Sequence, residues 1–230
     1  MTLLEAIEAR HSVRRYTDEP ISEEALAVLR EKIEEVNRQA DLHVQLVTDE
    51  PKAFSGLMAY GAFSGVRSYL VMAGKKGADL DERIGYYGEQ LVLLAQTLGL
   101  NTCWAGASYK KIPGTYDLKD DEKIGCYIAL GHGVTQGRGH KVKARGEVSN
   151  AGPQTPEWFI KGIDAALLAP TAVNQQKFFI EYLGTKGDGI VPKVSAKATF
   201  SMLGYAKMDL GIVKYHFELA AAPHPFQWDL

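Results

Sequence analysis

Ile84, Tyr87, Leu91, Leu94 and Leu98 follow one another at intervals of three, four, three and four residues. That period lines five large apolar side chains along one stripe of an α-helix. The spacing predicts one long central helix beginning after Asp79 and ended by Gly99 and Asn101, residues that tolerate the left-handed backbone of a helix end. Such a seam has to be covered, so the chain on either side must supply the layers that close around it.

Those layers are legible in outline. Leu3, Leu4, Ile7 and Ala9 give a short amphipathic helix, broken by Thr17-Asp18-Glu19-Pro20. Ser22 is an N-cap for a second helix whose Leu26, Leu29, Ile33 and Val36 share one face. Leu42, Val44 and Leu46 alternate with polar residues as in a half-buried strand, and further strands are expected over residues 68–73, 102–107 and 126–130. Polar residues 149–154 read as a linker. Thr155-Pro156-Glu157 then reads as a helix start with Thr155 as cap and proline in the first turn, followed by Trp158, Phe159, Ile163, Ala166 and Leu167. A strand over 177–183 and a last helix through Met208, Ile212, Tyr215, Phe217 and Leu219 precede an aromatic tail with Phe226 and Trp228. Helix, strand and long helix thus occur twice, an order that invites comparison of two halves, 1–148 and 149–230, in an α+β arrangement of sheets flanked by helices.

A net charge of -2 over 230 residues argues against a nucleic-acid partner. Cys103 and Cys126 have neither disulfide-framework nor zinc-ligand spacing, so a cytoplasmic location is expected. No uncharged run is long enough to span a bilayer, and the acids within the first eight residues do not suit a signal peptide.

Chemistry concentrates in Glu8-Ala9-Arg10-His11-Ser12-Val13-Arg14-Arg15-Tyr16. Arg10, Ser12 and Arg14 occupy alternate positions, and an extended backbone would point all three one way. Two guanidiniums flanking a hydroxyl suit an anion with several acceptor oxygens; the alternative is that the arginines satisfy helix-end carbonyls. The glycine-rich segment 54–65 reads either as a loop over a ligand or as a tightly packed loop. Gly131-His132-Gly133-Val134-Thr135-Gln136-Gly137 has the look of a dinucleotide fingerprint, but no helical period follows it, only the basic run 138–145. That run is either a solvated loop or a second set of cations for the anion at Arg10 and Arg14. His11, His132, His140, His216 and His224 lack metal-ligand spacing and read as surface or capping residues.

Three segments together resemble the FMN-dependent nitroreductase family, and within it the subgroup known as putative TM nitroreductases. Residues 10–16 resemble its R-x-S-x-R-x-[FY] signature. Leu98-Gly99-Leu100-Asn101-Thr102-Cys103-Trp104 resembles the GLG-T-C-W segment at the end of its central helix. Ala169-Pro170-Thr171-Ala172-Val173-Asn174-Gln175-Gln176-Lys177-Phe178 resembles A-P-S-A-x-N-x-Q-P-W, with Thr, Lys and Phe as departures. In ordinary members that last motif follows the second helix and reaches the flavin of a partner subunit. Here Val36-Asn37-Arg38-Gln39-Ala40 holds that place without the pattern, and the motif lies in the second half.

The resemblance therefore implies a nitroreductase-like fold whose two related halves form an internal pseudo-dimer with one composite flavin site; a true homodimer is the rival. It assigns the FMN phosphate to Arg10 and Ser12, with His11 inside the same motif and Lys141 and Lys143 closing over it. Arg14 goes to the N1/O2 edge of the ring, and the backbone of Gly106 and Ala107 to N5 and O4. Pro170, Thr171, Ala172 and Asn174 form the opposite wall. NAD(P)H is the implied diffusible reductant, and a nitroaromatic, quinone or similar small molecule the acceptor, with no protein residue required as acid or base. The alternatives are an FMN-binding protein of this fold without turnover, or a flavin-dependent dehydrogenase or dehalogenase.

Overall fold

The computed structural model describes residues 1–55, 62–185 and 191–229. Its architecture is α+β. Helices α1 (Leu3–Ala9) and α2 (Glu23–Ala40) lead to β1 (Gln45–Val47) and β2 (Ser68–Lys75), then to the long α3 (Leu80–Thr97), β3 (Asn101–Ala105) and β4 (Glu122–Gly131). A short α4 (Arg145–Val148) and α5 (Glu157–Leu168) come before β5 (Phe178–Gly184), β6 (Lys193–Ala198), α6 (Ala206–Ala221) and β7 (Gln227–Trp228). The first four strands form an antiparallel sheet ordered β1-β2-β4-β3; the last three form a second sheet ordered β5-β6-β7, with β7 parallel to β6.

The central helix forms where its period places it, but it is buried on more than one stripe. Ile84, Leu91 and Val92 face the first sheet through Met72, Cys126 and Ile128. Leu93 packs instead with Ala6, Ile7 and Ala165, while Ala95 joins Ala25 and Leu29. Tyr87, Leu94 and Leu98 of the expected seam are only half-buried. The sheet, α1, α2 and α6 all touch this helix, so three sides of it are core.

Helices α3 and α6 approach each other closely, and the approach is reciprocal. A Cβ on Gly85 would lie 1.9 Å from the Met208 carbonyl oxygen and 3.1 Å from the Ile212 nitrogen. A Cβ on Gly211 would lie 2.0 Å from the Glu82 carbonyl oxygen and 2.6 Å from the Tyr86 nitrogen. Each glycine sits on the residue three before, and the residue one after, the other glycine. Only the absence of both side chains lets the two backbones cross this closely.

Ser22 caps α2 as expected, accepting from the Ala25 nitrogen at 3.2 Å. At α5 the cap shifts by one residue: Pro156 is the N-cap, and the Thr155 hydroxyl accepts from the Gly152 nitrogen at 2.8 Å. The segment read as a linker is stitched to β5. Ser149 pairs with Ile180, and Asn150 exchanges two hydrogen bonds with the Tyr182 backbone at 3.0 and 2.8 Å. Residues 131–137 open no helix. Strands β6 and β7 went unread in the sequence, because Lys-Val-Ser-Ala-Lys-Ala carries one large apolar residue and Gln-Trp is only two residues long. Of the glycine-rich loop, Gly56, Met58, Tyr60 and Gly61 lie outside the described residues.

Candidate functional site

Arg10 caps α1 with an extended backbone, φ -71° and ψ 121°, and the chain then bridges to β3 at Ser12–Thr102 and to Ser64 at Arg15. The Val13 nitrogen donates to the Thr102 carbonyl at 3.0 Å, and Tyr16 pairs with Gly133. Arg10, Ser12 and Arg14 together line a pocket of about 260 Å³, as the alternation implies, but His11 of the other register lines it too, and Tyr16, which shares the arginines' register, is buried like Val13. Arg10 forms its floor at 3% exposure; Arg14 is exposed at its rim.

The opposite wall comes from the second half of the chain. After α5 the chain makes a tight turn around a 3₁₀ helix, Ala172–Asn174, with φ of 46°, 56° and 46° at Val173, Asn174 and Gln176. Three left-handed non-glycine residues in four positions are a strained backbone, β-branched Val173 above all. Buried Asp209 of α6 holds the turn: its carboxylate accepts from the Ala172 nitrogen at 3.0 and 3.2 Å and from the Gln175 amide at 2.7 Å. Burial pushes the Asp209 carboxyl up to about 6, against the downward pull of the Gln175 and Ala172 hydrogen bonds. The Thr171 hydroxyl accepts from the Gln176 nitrogen at 3.1 Å.

The basic run 138–145 closes the pocket from the side, by a different set of residues from those expected. Arg138 and His140 line the cavity. Lys143 instead caps the turn, its ammonium donating to the Gln175 and Gln176 carbonyls at 3.1 and 2.8 Å. Lys141 contributes its carbonyl, which accepts from the Asn174 and Gln176 amides at 2.8 and 2.9 Å. In an extended loop alternate side chains face opposite ways, and this run carries cations on both registers. Arg138 and His140 share the inward one. The resulting field shows at His11, whose imidazole is held below its usual range by burial first, then by Arg10 and His140.

A second cavity of about 240 Å³ continues from the first, sharing Ser12, Arg14, Pro170, Thr171 and Val173. It is less polar, walled by Phe63, Trp104, Met208 and Ile212, and Ala172, Gly106 and Ala107 lie on its surface. The Tyr205 ring rests on Gly106: a Cβ there would come within 2.5 Å of it. The Trp104 indole donates to fully buried Glu89 at 3.0 Å.

Sequence reasoning thus gathered Arg10, His11, Ser12, Arg14, Pro170, Thr171 and Asn174 at one pocket, with Gly106, Ala107 and Ala172 at its neighbour. It left Arg138 within a basic run of two open readings, took His140 for a surface or capping residue, and named neither Tyr205 nor Asp209. Among the described residues no group of three His, Cys, Asp or Glu is placed to hold a metal ion, and no helix is long and apolar enough to cross a membrane. The joined cavity suits one ligand with a polyanionic end and a flat, less polar body: cations and donors crowd one part, and aromatic and aliphatic walls the other.

The family model described as "Putative TM nitroreductase" matches residues 2–221. Among solved structures, the chain is similar to a putative nitroreductase of Thermotoga maritima, with 24% identity, 96% of this chain and 83% of the other covered, and a TM-score of 0.64. It is similar in fold to a putative nitroreductase of Desulfovibrio desulfuricans solved in complex with FMN, with 19% identity, 67% and 99% covered, and a TM-score of 0.52. No curated protein matches the sequence.

Proposed function

This chain belongs to the putative TM nitroreductase family, and we propose that it is an FMN-dependent oxidoreductase, nitroreductase-like, working from the joined cavity. The observation that carries the reading is the Arg10 guanidinium. It is buried at the floor of the cationic pocket, and its Nε and Nη1 have no hydrogen-bond partner among the described residues. A buried, unsatisfied cation costs stability unless an anion completes it. A phosphate monoester does so, with Ser12, Arg14, Arg138 and His140 around it. The family, and the fold neighbour solved in complex with FMN, support FMN as the phosphate's owner, and its ring suits the adjoining cavity.

FMN bound there would supply hydride acceptance from NAD(P)H at N5 and hydride delivery to a nitroaromatic, quinone or similar small acceptor. The chain's own residues bind and tune it. Arg10 and Ser12 would hold the phosphate. Exposed Arg14, shared by both cavities, would sit by the N1/O2 edge, where a fixed cation favours the reduced, anionic ring. Gly106 and Ala107 would offer backbone N–H groups to N5 and O4, once the Tyr205 ring yields its place over Gly106. Pro170, Thr171, Ala172 and Asn174 would form the opposite wall, with Lys141 and Lys143 acting through the turn they stitch. Trp104 would bound the ring cavity on the α3 side.

Both halves contribute to a single cavity within one chain, and the α3–α6 crossing is reciprocal. These features support a monomer built as an internal pseudo-dimer, with halves 1–148 and 149–230 and one flavin per chain. Cys103 and Cys126 are buried free thiols, in keeping with a cytoplasmic location.

Flavin released from purified protein and counted per chain tests the reading, followed by anaerobic NADH or NADPH addition and then an acceptor. About one FMN per monomer, bleached by the reductant and restored by menadione or a nitroaromatic, is expected. Flavin that neither nucleotide reduces leaves a binding protein, and no flavin after soaking in FMN sinks the proposal. Arg14→Ala should lower the flavin midpoint potential; an unchanged potential removes Arg14 from the ring edge.

A further inference from the structure

Behind the Arg10 floor lies a buried cluster that the reading above leaves unused. Glu89 of α3 and His216 of α6 are both at 0% exposure. Their side chains meet at 2.9 Å, His216 Nε2 to Glu89 Oε1, while Glu89 Oε2 accepts from the Trp104 indole. Arg10 Nε stands 3.9 Å from Glu89 Oε1, too far for a hydrogen bond. His216 Nδ1 lies 3.1 Å from the Ala165 carbonyl, which can only accept, so Nδ1 carries a hydrogen. One further proton lies between Nε2 and Oε1. Placed on the imidazole it makes an ion pair; placed on the carboxyl it makes a neutral pair. The two together carry no net charge in either case, so among the described residues Arg10 has only a loose, 3.9 Å ion pair with a carboxylate that His216 already engages.

We propose that His216 is a positioning residue for phosphate binding: by engaging Glu89, it keeps the Arg10–Glu89 ion pair loose, short of a hydrogen bond, and the Arg10 guanidinium available to the ligand. The proposal rests on the FMN reading. Without the imidazole, Glu89 would be a buried carboxylate with a guanidinium 3.9 Å away. A small movement of Arg10 would then form a close charge-assisted pair, which a dry interior strongly favours. Arg10 would turn from the pocket to the core. The reciprocal Gly85 and Gly211 crossing lies close by in sequence, so the joint between the halves also sets the Glu89–His216 distance.

The test compares FMN with riboflavin, which has the same ring and no phosphate. Dissociation constants for both, from quenching of flavin fluorescence, give a ratio that isolates the phosphate contribution. For His216→Gln the riboflavin-to-FMN ratio should fall by about tenfold or more as Arg10 is drawn inward. For Glu89→Gln it should hold or rise, because the competing carboxylate is gone. The double variant Glu89→Gln/His216→Gln should return to within about threefold of wild type. A cluster that only packs the core would lower the ratio in both single variants and further in the double. That pattern, or an unchanged ratio in His216→Gln, overturns the inference. Should His216→Gln fail to fold, the other two variants decide it, since a fall in either one sinks the proposal. Wild-type protein that binds neither flavin overturns the FMN reading and this inference together; a large wild-type ratio that the variants do not move as stated overturns this inference alone.

Discussion

Arg83 of α3 and Asp209 of α6 each lie two residues before the glycine at which the two helices cross. Each reaches the segment that follows the preceding helix of its own half. Arg83 donates to the carbonyls of Ala40 and Asp41 at the end of α2. Asp209 accepts from the Ala172 nitrogen and the Gln175 amide beyond α5. The cation satisfies carbonyls that a helix end leaves open, and the chain passes through a single left-handed residue, Asp41, toward β1. The anion gathers N–H groups instead, and around it the chain coils into the strained turn that walls the pocket. Opposite charge at one framework position therefore accompanies a plain connection in the first half and a binding wall in the second.

The largest expected effect tests the shared framework. Gly85→Ala and Gly211→Ala should each cost roughly 3 kcal/mol or more, because a methyl would overlap a backbone carbonyl that cannot move without parting the helices. Thermal unfolding should show losses of similar size at the two sites; a loss at one alone would end the claim that the crossing is reciprocal.

The next prediction separates the halves. Asp209→Ala should destabilise by about 2 kcal/mol, through buried donors left without an acceptor, and should weaken FMN binding at least tenfold. Arg83→Ala should cost about 1 kcal/mol and leave FMN affinity within twofold of wild type. Equal losses of affinity, by titration of the two variants, would remove the functional contrast between them.

Acid titration sharpens the same contrast. The folded chain holds a proton on Asp209 up to about pH 6, whereas an unfolded aspartate releases it near 4. Between those values the native state binds more protons, so this group's contribution to stability is greatest below pH 4 and declines as pH rises to about 6, by up to roughly 3 kcal/mol. Urea midpoints for Asp209→Asn subtracted from wild type should show that slope, and a flat difference would mean the carboxyl is not raised. The smallest effect is at the turn itself: Val173→Gly should raise stability by about 1 kcal/mol by relieving φ +46°, an unusual gain for a substitution at a ligand wall.

Much of this was legible because it is local. The position of α3, the Ser22 cap and the shared pocket of Arg10, Ser12 and Arg14 each depend on near neighbours in sequence, though the α3 seam is buried only in part. The A-P-T-A-V-N-Q-Q segment could be quoted as a motif, but its three positive φ angles and its dependence on Asp209 could not. A residue more than thirty positions away supplies the acceptor. Arg138 and His140 were hidden for another reason: the run from 138 to 145 has cations on both faces of an extended chain, and nothing local says which face turns inward.

The sequence by itself determined the long helix, the apolar faces around it and the cluster of cations that follows α1, since spacing and side-chain chemistry act over a few residues. Tertiary structure alone decided that Gly85 meets Gly211, that Glu89 meets His216 more closely than Arg10, and that Arg10 and Asn174 line one cavity. Those outcomes depend on which surfaces exclude water together. That is a property of the packed whole, and no window along the chain contains it.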